Sequence, residues 1–208
     1  MWKLDLNIEK TKIVIFSKSK KKESTRFMFG GDTLKISDTY SYLGIKLNTK
    51  ATFQEAIKLL KEKGGKAMFL LTSSLYTGVT FQPDLPLKIF DNTVRPILTY
   101  GCEVWCGEYV KSLAKITSID KAHFESVNNR FCKRIMGLPK QASNFGVKAE
   151  LGRNIVFAYI CAQAFKYWYK IVSMEDDRIL KYAYYSELEL YPLRGIHPGP
   201  HLSTNYSI

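Results

Sequence analysis

The chain lacks any apolar run of membrane-spanning length. A helical span needs roughly 18 consecutive apolar residues, and the longest stretch here, Ile155 to Ala162, stops well short. Nothing after Met1 has the form of a secretory leader. A nuclear or cytoplasmic protein, neither secreted nor embedded in a membrane, is therefore the expectation. Cysteine is sparse: Cys102, Cys106, Cys132 and Cys161 make four, expected to be reduced thiols in the absence of a secretory signal. The spacing of Cys102, Cys106, His123 and Cys132 fits no common finger or knuckle, so no metal is expected. The sequence has no internal repeat, which sets aside solenoids and propellers. Acidic side chains are also few, 19 against 31 Lys and Arg, for a net charge of +12.

Such a basic excess favours polyanionic partners, nucleic acid first and anionic membrane second. It is unevenly spread: residues 1–70 hold 15 basic and 7 acidic side chains, net +8, leaving 16 and 12 of the 31 and 19, net +4, for the remainder. With 208 residues, 46% of them hydrophobic and 13% aromatic, the chain can bury one core or two small ones.

The front reads as a small β unit. Leu4, Leu6 and Ile8 alternate, a polar knot spans Glu9 to Lys12, and Ile13 to Phe16 is β-branched, so Leu4 to Phe16 is expected to be a strand edge bearing lysines. The segment from Ser17 to Arg26 holds five basic residues in ten and reads as a solvated turn. Phe27 to Phe29 and Leu34 to Ile36 flank Gly30-Gly31-Asp32, a hairpin signal. Tyr40, Tyr42, Leu43, Ile45 and Leu47 predict a third strand.

The period changes at Thr52. Thr52-Phe53-Gln54-Glu55 has the form of a capping box, and Phe53, Ala56, Ile57, Leu60, Ala67, Met68 and Leu71 follow at helical spacing. Lys58, Lys61, Glu62 and Lys66 fall on the opposite face. Gly64-Gly65 predicts a bend or break. A loop is expected from Thr77 to Pro86 and a helix from about Leu87 to Thr93, with Pro96 starting a new element. A long helix is predicted from Ser112 to Met136, ended by Gly137 and Pro139. Further helices are expected over Ala142 to Leu151 and Ile155 to Val172, with the aromatics of the second, Phe157, Tyr159, Phe165, Tyr167, Trp168 and Tyr169, taken into a core rather than forming a base-stacking platform. The tail from Tyr191, with its prolines and glycines, reads as disordered. The expected fold class is α+β, mostly α: a small antiparallel β unit followed by helices.

Four short motifs occur in one order. They are Asn7-Ile8-Glu9-Lys10-Thr11-Lys12, Tyr42-Leu43-Gly44, the stretch Pro96 to Trp105, PILTYGCEVW, and Glu150-Leu151-Gly152-Arg153. In that order they resemble the C-terminal part of reverse transcriptases from non-LTR, LINE-class retrotransposons of the jockey or RTE kind. The resemblance implies a palm remnant over 1–48, thumb-like helices over 49–95, a helical extension over 96–190 and a disordered tail over 191–208. It also implies an RNA template and DNA primer duplex as partner, held by Lys12, Tyr42, Leu43, Gly44, Lys58, Lys61 and Lys66, with Tyr42-Leu43-Gly44 as the primer grip. Lys10 would be the general acid that protonates leaving pyrophosphate in a complete enzyme.

Polymerase chemistry requires two divalent metals on palm carboxylates. The resemblance would place those aspartates before Met1, on the expectation that the chain begins inside a larger domain. Magnesium would then belong to the complete enzyme, with no cofactor in this chain and no activity for it alone. Met174-Glu175-Asp176-Asp177 is out of order for such a site and reads as an acidic helix start. The alternative from composition alone is a basic helical protein that binds nucleic acid or acts as a scaffold without catalysis.

Overall fold

The computed structural model describes residues 7–16, 26–75, 83–113 and 123–190. The basic cluster Lys18 to Lys22, the start of the expected first strand at Leu4 and Leu6, Ile116, Ile119 and the tail from residue 191 lie outside the described residues. Among the described residues the fold is mixed α+β: six short strands precede seven helices. The chain divides into two compact units, Met1–Cys161 and Ala162–Ile208.

The strands form three two-stranded sheets. Strand β2 (Met28–Phe29) pairs antiparallel with β3 (Asp32–Thr33). Gly30 and Gly31, both at positive φ, make the connecting two-residue turn, as a type I′ hairpin requires. The second hairpin departs from expectation. What reads as one alternating strand is two, β5 (Thr39–Tyr42) and β6 (Ile45–Asn48), paired from Thr39↔Asn48 to Tyr42↔Ile45. Leu43 and Gly44 form the turn between them at φ 46 and 82. The β unit is also not wholly antiparallel: β1 (Lys12–Ile13) runs parallel to β4 (Lys35–Ile36).

Helix α1 (Gln54–Leu75) is unbroken through Gly64-Gly65. Ala56, Ile57, Leu60, Met68 and Thr72 are buried along one stripe. A Cβ at Gly64 would overlap the side chain of Leu98. The glycine thus lets α1 approach α2 (Asp84–Leu98) closely, and packing keeps continuous what propensity alone would weaken. Helix α2 likewise runs through Pro96 to Leu98. Pro96 sits in the last turn, and Asn92, whose carbonyl loses its donor, is exposed and open to hydration.

The expected capping box at Thr52 does not form. The Phe53 N–H donates to Glu108 Oε2 at 2.8 Å and the Gln54 amide to Glu108 Oε1 at 3.2 Å. A carboxylate from α3 (Cys102–Leu113) therefore caps α1. Glu55 instead pairs with Lys46 at 2.8 Å, and Thr52 Oγ1 accepts from the Asn48 amide. The long helix expected from Ser112 is corrected too: α3 already starts at Cys102, after Gly101, and α4 (Glu125–Ile135) is a separate helix whose Phe124 is fully buried.

The core gathers on α2, α3 and α4. Phe90 stacks on Phe131 with centroids 4.4 Å apart. Trp105, Tyr109 and Phe124 pack at 5.2–5.7 Å, and the Trp105 indole N–H donates to the Tyr100 carbonyl. Rings of this size, buried, each contribute about 1.5–3 kcal/mol.

Helix α4 ends as expected at Gly137, whose N–H donates to the Arg134 carbonyl while that of Leu138 donates to Lys133. This is the Schellman arrangement. Helix α5 (Asn144–Glu150) is capped by Ser143, whose Oγ accepts from the Gly146 N–H. The N-terminus of α6 (Val156–Val172) receives buried Glu125, whose Oε1 accepts from the Phe157 N–H at 3.1 Å. In the second unit, α6 continues to Val172 and is followed by α7 (Ile179–Leu190), with the Trp168 indole N–H donating to the Tyr184 hydroxyl.

Candidate nucleic-acid interface

Helix α1 carries the clearest basic surface. Its buried stripe fixes its rotation, and that leaves Lys58, Lys63 and Lys66 exposed. Lys61 is half-buried beside His123. Burial first, and then the Lys61 ammonium, push the His123 imidazole below its ordinary range. Lys61 is thus placed partly inward, and Lys63, three residues before Lys66, takes the outer position in its stead. Glu62 lies four residues from both Lys58 and Lys66, so the face is mixed rather than uniformly positive. Its far end is apolar, with Phe69 and Leu70 exposed and the Arg134 guanidinium 5.6 Å over the Phe69 ring.

The Tyr42-Leu43-Gly44 segment is a hairpin tip. Tyr42 and Leu43 are exposed. The Tyr100 hydroxyl donates to the Leu43 carbonyl at 2.8 Å, and the Tyr100 ring lies against Gly44, where an added Cβ would meet it at 3.5 Å. Next to it, a Cβ at Gly101 would strike Ile45. The Tyr100-Gly101 corner between α2 and α3 therefore holds the hairpin, which explains those two residues without a ligand. The same hairpin meets the start of α1 through Lys46–Glu55 and through Asn48, which bonds Thr52.

Lys10 and Lys12 stand elsewhere, Lys12 on the β1–β4 pair and Lys10 just before it. Lys10 lies in a turn rather than on a strand, and its backbone N–H donates to Asn7 Oδ1 at 3.1 Å. The Thr11 hydroxyl closes the same turn on the Asn7 carbonyl. Lys10 and Lys12 are exposed. Lys12 is in register with exposed Lys35, a like-charge pair that is unfavourable unless an anion bridges it. Lys35 carried no pattern in the sequence that singled it out.

The remaining motif residues have structural work. The Gly152 N–H donates to the Ala149 carbonyl and the Arg153 N–H to Lys148, ending α5. This aims Arg153 at Asp91, which it meets with two guanidinium nitrogens at 2.9 and 2.6 Å, while Arg153 Nε donates to Asn128 Oδ1. Met174 to Asp177 lie before α7 and not in its first turn, and Asp176 pairs with Lys181 at 2.8 Å. Among the described residues no three His, Cys, Asp or Glu side chains gather as a metal group. Burial raises the thiols Cys102 and Cys132 to about 12 and about 11, so both are held protonated. No helix among the described residues is long and apolar enough to cross a membrane.

No family model, curated protein or solved structure matches the chain. The reverse-transcriptase and retrotransposon assignment drawn from the four motifs is corrected accordingly, and the structure accounts for three of those motifs as a hairpin tip, the corner that holds it and a helix end.

Proposed function

We propose that the chain is a basic, mostly helical module that binds nucleic acid through the phosphate backbone and performs no chemistry of its own. The observation that carries this reading is the row Lys58, Lys63 and Lys66, exposed on a helix whose opposite face is locked into the core. Ammonium groups held on a rigid rod match phosphates spaced along a duplex. Such pairing supplies affinity without reading sequence. The in-register pair Lys12 and Lys35 adds a second cationic spot. The net charge of +12 supplies the long-range attraction that brings a polyanion to these surfaces. The test is the salt dependence of duplex affinity. Neutralising three phosphate-binding lysines should make the slope of log K against log salt shallower by about 0.9 for each lysine neutralised.

A further inference from the structure

We infer that the second half of α6 is a stacking surface for single-stranded nucleic acid, distinct from the duplex-binding face of α1. Phe165 and Tyr169 are 70% and 67% exposed. They stand four residues apart, a rise of about 6 Å along one side of the helix. Lys166 and Lys170 repeat the same spacing one residue on, and both are exposed. A row of rings thus runs beside a row of ammonium groups. That pairing suits an unpaired strand, in which bases stack on aromatic faces while phosphates lie alongside.

Two further observations favour a polyanion over an apolar partner. Helix α6 contains no carboxylate over its whole length, and the acidic side chains of this unit are confined to Glu175, Asp176 and Asp177 and to Glu187 and Glu189. Trp168, itself exposed, flanks the surface: its ring packs edge-on to Phe165 at 5.5 Å, and its indole N–H is tied to the Tyr184 hydroxyl on α7. Phe165 is therefore held by a fixed neighbour while its own ring remains open.

The experiment uses the full chain and two labelled 20-nucleotide probes, an unstructured pyrimidine single strand and a blunt duplex, with binding followed by fluorescence anisotropy. Phe165→Ala with Tyr169→Ala should weaken the single strand by about tenfold or more and leave the duplex within about twofold. Lys166→Gln with Lys170→Gln should make the single-strand salt slope shallower by about 1.4. These four positions are exposed, and an unchanged thermal melt confirms that each variant is folded. Unchanged single-strand affinity, or equal losses for both probes, overturns the inference. So does binding by the unaltered chain to anionic phospholipid vesicles that disappears in the ring variant while single-strand binding persists. Failure of duplex binding alone, with the ring effect intact, would count against the α1 reading and not against this one.

Discussion

The hydroxyl of Tyr100 donates to the carbonyl of Leu43 at 2.8 Å, joining the α2–α3 corner to a hairpin tip 57 residues earlier in the chain. Leu43 adopts φ 46, a left-handed conformation that costs a non-glycine residue about 1–2 kcal/mol. The strain is held by tertiary packing. Leu43→Asn should stabilise the protein by about 1 kcal/mol, since Asn-Gly is the favoured type I′ pair. Tyr100→Phe should cost about 1 kcal/mol. Denaturant melts of both variants check the pair. A shift of the midpoint in the same direction by both substitutions would contradict the Tyr100–Leu43 link.

Gly64 and Gly65 are neighbours with opposite surroundings. A Cβ at Gly64 runs into Leu98, whereas at Gly65 it meets nothing within 4 Å. Gly64→Ala should therefore destabilise by about 1–3 kcal/mol through overpacking. Gly65→Ala should stabilise by up to about 1 kcal/mol through helix propensity. Thermal melts that rank the two variants the other way would contradict the close α1–α2 crossing.

The Gly30-Gly31 turn was legible in the sequence because its chemistry is local. The capping box was not, because Asn48 Oδ1 takes the Thr52 N–H and Lys46 engages Glu55, while Glu108 reaches the Phe53 N–H from 55 residues away, and no local pattern announces a distant carboxylate. The Tyr42 to Leu47 alternation hid a turn because Leu43 occupies a conformation its residue type disfavours. The lysine face of α1 followed from periodicity. The half-burial of Lys61 beside His123 did not, because His123 comes from another part of the fold. Aromatic content alone likewise misplaced α6, whose first half supplies buried Val156 and Ile160 while Phe165 and Tyr169 face outward.

Glu125 gives the fold a pH signature. Its side chain is wholly buried, accepting from the Phe157 N–H and facing Asn128 and the Lys148 ammonium at 3.9 Å. Burial raises its carboxyl above the ordinary 4.5, outweighing the opposing hydrogen bonds and Lys148. The folded state therefore keeps the proton to higher pH than the unfolded chain does. The stability due to this group is greatest below 4.5 and declines as pH rises through the folded value. Glu125→Gln keeps an acceptor for Phe157 and removes the titration. The stability of the unaltered protein relative to this variant should fall as pH is raised from 4.5 and then level off. A difference independent of pH would show that the carboxyl is not perturbed.

Nucleic-acid binding by the lysines of α1 can be tested directly. The decisive measurement is the affinity of the full chain for a blunt duplex across a series of salt concentrations, compared with Lys58→Gln, Lys63→Gln, Lys66→Gln together. Binding that weakens steeply with salt, and a triple variant whose slope is shallower by about 2–3, is the predicted result. No duplex binding at low salt, or a slope that the three substitutions leave unchanged, would contradict it.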